Sequence, residues 1–259
     1  MAPLLMAATL VALPVAVQAA SVRAVESNLS GDNERIISYR QQQHLWQTSD
    51  GGFHLLLNRG GLAPVPGLTL YSSYDGGQTW SFAQAFGNTG DKSTGDGQLV
   101  GNSLSLAYGT LDGNVMFSRL GYDSVARAWS VLGSETAFTS TQWWGQNPTL
   151  AIDDLGTVWC AFLSTSRVNS NNSNLRVVNR VGDSNLWTDP ALVFGPTDRG
   201  AQRSARLLRM PGGMGMVWTV RETTYWSLRS RPCNTAAARI KPRFYAHFTS
   251  TESLEKRYW

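Results

Sequence analysis

Ser73-Tyr74-Asp75-Gly76-Gly77-Gln78-Thr79-Trp80 is the stretch that decides the fold. Two adjacent glycines accept backbone angles that other residues resist, and Ser, Asp and Thr side chains can hydrogen-bond the backbone groups of a turn. The Trp that follows packs beneath the hairpin so formed. The Asp75 carboxylate is suited by this chemistry to staple a hairpin.

The same order of parts recurs on either side of this octapeptide. A short apolar run meets a tight turn and is answered by a second apolar run at Asp50-Gly51-Gly52, Asp112-Gly113-Asn114, Asp154-Leu155-Gly156 and Pro211-Gly212-Gly213. Asp-Gly and Gly-Gly suit the positive φ angles of tight hairpins. The answering strands run over 53–58, 115–120, 158–163 and 214–220, and each unit goes on to a Trp: Trp80, Trp129, Trp187 and Trp226. No segment after residue 20 sustains helical periodicity. The expected class is all-β, with blades of three or four antiparallel strands stacked radially as a β-propeller. The blades are placed at 36–86, 102–138, 147–195 and 203–231. Asn88 to Gly97 is read as a Gly-rich linker between blades, with a calcium loop through Asp91 and Asp96 as the alternative.

Composition agrees with a β-rich globular chain: 259 residues, 42% hydrophobic, 15% charged, with 25 Gly and 10 Trp. Two cysteines exclude a disulfide scaffold, and whether Cys160 and Cys233 pair is left open by their spacing. Cys160 lies in an apolar run, where a buried thiol acts as a small hydrophobe. The net charge of +4 is uneven, because the stretch from Arg229 to Trp259 holds seven basic and two acidic residues. The remainder is nearly neutral, so the basic pI does not argue for nucleic-acid binding. Residues 4–17 are apolar and Val17-Gln18-Ala19 offers small residues for cleavage, the pattern of an export signal. The expected organisation is a signal segment at 1–20, a propeller domain at 21–231 and a basic tail at 232–259. The protein would be secreted or periplasmic, with no stable membrane span after signal cleavage.

The octapeptide resembles the Asp-box, Ser-x-Asp-x-Gly-x-Thr-Trp, of sialidases and related secreted β-propellers; Ser73, Asp75, Gly77, Thr79 and Trp80 occupy its five fixed positions. The copies before Trp129 and Trp187 are degenerate. The resemblance implies a sialidase-like propeller, for which six blades are expected where four are legible. An incomplete ring would leave an open edge on the last blade that invites pairing with another chain.

A sialidase also implies three Arg side chains that grip a carboxylate, a Tyr nucleophile with an activating Glu, and an acid/base Asp. The residues offered by this sequence are Arg35 (or Arg40 in the same strand), Arg206 and Arg221 (with Arg203 also available), Tyr225 and Glu222. Asn58 falls where the acid/base carboxylate belongs, and an amide cannot perform that proton transfer. Glycan binding without cleavage is therefore preferred to exo-sialidase or related glycosidase activity, and a structural interaction propeller comes third. Trp143 and Trp144, in the run Trp143-Trp144-Gly145-Gln146-Asn147, are the candidates for stacking on a sugar, one facing the core and the other solvent. Packing between blades is the competing reading of both. His44, His54 and His247 show no metal-ligand spacing. No cofactor and no metal are expected, and the expected partners are glycans or glycoconjugates.

Overall fold

Strand alternation and tight turns build four antiparallel sheets, each a simple up-and-down meander. The computed structural model describes residues 41–59, 67–90, 93–170, 172–180, 185–194, 205–211, 213–220 and 223–230. Blade 1 is β1 (Leu45–Gln47), β2 (Phe53–Asn58), β3 (Leu68–Ser73) and β4 (Ser81–Ala85). Blade 2 is β5 (Gly95–Val100), β6 (Ser103–Gly109), β7 (Val115–Asp123) and β8 (Ala128–Phe138). Blade 3 is β9 (Trp143–Ile152), β10 (Val158–Ser166), β11 (Ser173–Asn179) and β12 (Ala191–Phe194). Blade 4 has three described strands, β13 (Ala205–Met210), β14 (Gly213–Val220) and β15 (Thr223–Ser230). Among the described residues there is no helix. The fold is the expected all-β propeller.

The core lies in the seams between blades, which is why the middle strands are buried on both faces. In β10, Trp159, Ala161 and Leu163 join Leu207, Met214, Met216 and Trp218 of blade 4. The alternate residues Val158, Cys160 and Phe162 join Val115, Phe117 and Phe138 of blade 2. A third cluster, with Leu56, Leu70, Leu104, Leu106 and Trp129, fills the seam between blades 1 and 2. Each Leu or Phe so enclosed contributes about 1.5–3 kcal/mol relative to exposure. Cys160 is a fully buried free thiol whose pKa burial raises; Cys233 lies outside the described residues.

Three expectations about boundaries need correction. Gly95–Val100 is not linker but β5, the first strand of blade 2, paired with β6 from Gly95↔Tyr108 to Val100↔Ser103. It escapes notice because glycines replace side chains where the chain must pass close to others: a Cβ on Gly97 would sit 2.9 Å from the Ser105 carbonyl and from the Trp46 ring. Blade 3 starts at Trp143, four residues earlier than expected, so the Trp-Trp run is part of its first strand. The four turns are also not equivalent. Asp50-Gly51-Gly52 and Asp154-Leu155-Gly156 join first to second strands, whereas Asp112-Gly113-Asn114 joins β6 to β7, the second and third strands of blade 2. There the first turn is Gly101-Asn102, with Gly101 at φ 58°.

Candidate functional site

Because every blade is a meander, the connections fall alternately at two ends. The lower end carries the turns between first and second and between third and fourth strands. The upper end carries the turns between second and third strands and the connections from blade to blade.

The lower end is closed by its own hydrogen bonds. Asp75 Oδ1 accepts from Ser73 Oγ at 2.8 Å and from the Gln78 and Thr79 amides at 2.9 Å, and Asp75 Oδ2 accepts from Thr79 Oγ1 at 2.6 Å. Ser73 Oγ accepts in turn from the Gly77 amide, and Trp80 Nε1 donates to the Gly77 carbonyl. Gly76 and Gly77 have φ of 73° and 85°, and Trp80 packs against Leu55, Leu57 and Tyr71. These bonds hold the Asp75 carboxyl well below its usual pKa, the Thr79 hydroxyl first among them. The degenerate copy in blade 2 works similarly: Asp123 Oδ1 accepts from the Val125 and Ala126 amides.

Between these two hairpins runs a buried relay. Trp129 Nε1, which can only donate, lies 2.9 Å from His54 Nδ1. That fixes Nδ1 as the acceptor and places the imidazole proton on Nε2, 3.0 Å from Thr48 Oγ1. Thr48 Oγ1 donates to Asp50 Oδ1, and Tyr122 Oη donates to Asp50 Oδ2 at 2.7 Å. Burial pushes the His54 imidazole down to about 4, against an opposing pull from the Asp50 charge. The relay joins blades 1 and 2, and His54 is fully buried.

At the upper end the first strands converge on Asp96 of β5, whose carboxylate is wholly buried. Oδ1 accepts from the Gln43 amide at 2.6 Å, and Oδ2 from Thr149 Oγ1 at 2.9 Å and the Leu150 amide at 2.8 Å. Arg206 Nη1 of blade 4 reaches both oxygens at 2.7 and 2.8 Å and also donates to the Gln41 carbonyl. One carboxylate thus ties together groups from the start of blade 1, from blade 2 and from blades 3 and 4. A buried charge is tolerable only when paired and hydrogen-bonded in this way.

Beside this hub, in the seam between blades 2 and 3, opens a cleft of about 240 Å³. Its lining includes Thr94, Thr110, Gly113, Trp144, Gln146 and Asn147, and none of the described lining residues is charged. Trp144 is 42% exposed. Arg167 lies over its ring at 5.4 Å and donates Nη2 to the Asp112 carbonyl, while Gly113, at φ 84°, approaches so closely that a Cβ would meet the indole at 2.8 Å. The neighbouring Trp143 is partly buried against the core of the blade 2–blade 3 seam and lies under Arg176.

A β-bulge shapes the polar wall. The β9–β10 ladder pairs Thr149 with Ala161 but Gln146 with Leu163, leaving Asn147 and Pro148 opposite Phe162. Asn147 takes up the irregularity at φ 51°, a left-handed angle that Asn tolerates better than most residues. The break in alternation lets Gln146 and Asn147, adjacent in sequence, line one cleft. Thr165 Oγ1 donates to Gln146 Oε1 at 3.2 Å, and Thr94 Oγ1 makes a long contact of 3.4 Å to Asn147 Oδ1. Both amide oxygens are thereby engaged inside the protein, and among the described residues neither amide nitrogen has a hydrogen-bond partner.

The residues singled out for a sialidase site are distributed as follows. Arg206 stands at the hub with Nη1 committed to Asp96. Arg35, Arg40, Arg203, Arg221 and Glu222 lie outside the described residues, and Tyr225 falls in β15, where its backbone pairs with Trp218. Asn58, at the upper end of β2, is buried and donates Nδ2 to the Gly90 and Ser93 carbonyls, fastening the connection into blade 2. Asp96 enters the sequence reading only through the calcium-loop alternative, where the structure instead pairs it with Arg206, and Thr94, Thr110 and Thr165 are not among the residues the sequence singles out. The one available signal was the Asn88–Gly97 run, which its glycines disguised as linker.

No family profile matches this sequence, and no curated protein is similar to it. Solved structures are similar in fold. A polysaccharide lyase of family PL25, an ulvan lyase, aligns with a TM-score of 0.52 at 14% identity over 72% of this chain and 51% of its own. The structure of a PL25 ulvan lyase bound to -[GlcA(1-4)Rha3S]- gives 0.51 at 14% identity, again over 72% and 51%. An α-L-arabinanase of Penicillium chrysogenum, complexed with arabinobiose, gives 0.50 at 15% identity over 74% of this chain and 63% of its own. What they share with this chain is the propeller fold. The chain spans about half the length of the lyases it matches. Propellers of this kind are found among carbohydrate-active enzymes.

Proposed function

We propose that this protein is a secreted or periplasmic propeller that binds glycans in the cleft between blades 2 and 3 and does not cleave them. The observation that carries this reading is an exposed Trp144 set beside two open amide donors. An indole face covers the C–H patch of a pyranose, and amides satisfy its hydroxyls, the combination that sugar sites require. The bound saccharides of the ulvan lyase and the arabinanase lend support, since those propellers hold glycans. The preference for binding over cleavage rests on the described residues: the cleft lining is uncharged there, and Asn58 is an amide bound to two carbonyls.

A second reading, exo-sialidase activity, is favoured by the Ser73–Trp80 box and would use Arg35, Arg206, Arg221, Tyr225 and Glu222. It asks Arg206 to grip a substrate carboxylate while its Nη1 is held by the protein's own Asp96. Two assays on folded protein separate the readings. A glycan array is expected to give binding that Trp144→Ala abolishes, and a fluorogenic sialoside is expected to remain intact. Sialoside turnover that disappears in Arg35→Ala would overturn the non-catalytic reading.

A further inference from the structure

Resting on glycan binding at this cleft, we infer that it selects a neutral pyranose by donating to two neighbouring hydroxyl oxygens from the side-chain amides of Gln146 and Asn147. The inference starts from amide orientation. A carboxamide can present oxygen or nitrogen, and the direction is decided by what fixes the other end. Here a threonine hydroxyl stands at each oxygen, Thr165 for Gln146 and Thr94 for Asn147. Gln42 Nε2 backs the second of these, donating to Thr94 Oγ1 at 3.3 Å and to the Pro148 carbonyl at 2.7 Å. Thr94 Oγ1 therefore receives a hydrogen from Gln42 and passes its own to Asn147. With the oxygens so engaged, neither NH2 group donates to another described residue, which leaves both available to a ligand.

Their placement on one wall follows from the backbone. In a regular strand adjacent side chains point to opposite faces. The bulge and the positive φ at Asn147 put two successive amides on the same cleft, next to the indole of Trp144. Two donors from adjacent residues fit two acceptors on adjacent carbons, the arrangement of a vicinal diol. Trp144 supplies the platform and is held by Gly113 and Arg167, so little ordering remains to be done on binding. None of the described lining residues is a cation; the Arg167 guanidinium lies over the Trp144 ring and donates to the Asp112 carbonyl. A uronic or sialic acid would find no cation among those lining side chains to pair with its charge.

Tryptophan fluorescence titration with methyl glucoside, galactoside and mannoside, beside methyl glucuronide and methyl sialoside, tests this directly. At least one neutral glycoside is expected to bind, with the glucuronide and sialoside at least tenfold weaker. Asn147→Gly keeps a residue suited to φ 51° while removing the amide, and Gln146→Leu keeps volume. Each is expected to weaken the neutral sugar about 3- to 10-fold, as for one neutral hydrogen bond, with unchanged melting temperature. A glycoside lacking one of the two hydroxyls should bind wild type and the corresponding variant equally. If neutral sugars bind but neither variant changes the affinity, or if the charged sugars bind more tightly, the amide assignment is overturned and glycan binding stands. If no member of the panel binds folded wild-type protein, the inference fails, and the glycan array then decides whether glycan binding fails with it.

Discussion

The two ends of the propeller are built from the same residue types to opposite effect. At the lower end the Asp75 carboxylate accepts four hydrogen bonds from its own hairpin, and Asp50, His54 and Trp129 close a relay across the first seam. Each of these side chains has hydrogen-bond partners within the protein. At the upper end the Asp96 carboxylate is equally engaged, but the adjacent cleft leaves two amide nitrogens without hydrogen-bond partners among the described residues, and an indole partly exposed. A conspicuous carboxylate in a motif is here a sign of stability, whereas function is read from neutral groups with unused bonding capacity.

That contrast yields predictions, the largest first. Asp96→Ala removes the acceptor shared by Gln43, Thr149, Leu150 and Arg206, and leaves a cation and several donors without a partner. A loss of about 3–5 kcal/mol is expected, by analogy with breaking buried ion pairs, measured by urea denaturation at pH 7. A change under 1 kcal/mol would show that the hub is dispensable.

Next comes pH dependence at the lower end. The unfolded chain takes up a proton at His54 near 6.5, while the native imidazole stays neutral down to about 4. Stability due to neutral His54 is thus complete above pH 6.5 and is lost as pH falls toward 4, by about 3 kcal/mol in all. Denaturation curves between pH 7 and 5, above most carboxylate titration, should show the decline in wild type and lose most of it in His54→Gln. A wild-type profile flat over that range would contradict the buried relay.

A smaller effect is expected from Gly113→Ala. The new methyl must fit a φ of 84° and meets the Trp144 ring. It should cost about 1 kcal/mol and weaken glycan binding by displacing the indole. Binding unchanged in that variant would separate Trp144 from the cleft.

Much of the architecture is legible from sequence because it depends on local rules. Asp-Gly turns set the hairpins, β-branched and aromatic runs set the strands, and the Ser73–Trp80 box has the hydrogen bonds its residue types suggest. Trp143 is partly buried and Trp144 exposed, the difference that strand alternation suggests for adjacent residues. Where local rules lapse, reading fails. Gly95-Asp96-Gly97 lacks the apolar alternation of a strand because its neighbours approach too closely for side chains at the glycines, so the run that holds the hub residue Asp96 reads as linker. Gln146 and Asn147 share a wall only because a bulge breaks alternation, and that depends on the register between β9 and β10, which no single strand reveals. The roles of Thr94 and Thr165 arise only once blades 2 and 3 are assembled.

The most direct test of the division between ends is a paired experiment on two variants. Melting temperature and glycan affinity would be measured side by side for Trp144→Ala and Asp75→Ala. The account predicts that Trp144→Ala melts like wild type and loses binding at least tenfold, whereas Asp75→Ala melts at a lower temperature and binds normally. The reverse pattern, with binding lost at Asp75 and kept without Trp144, would contradict it.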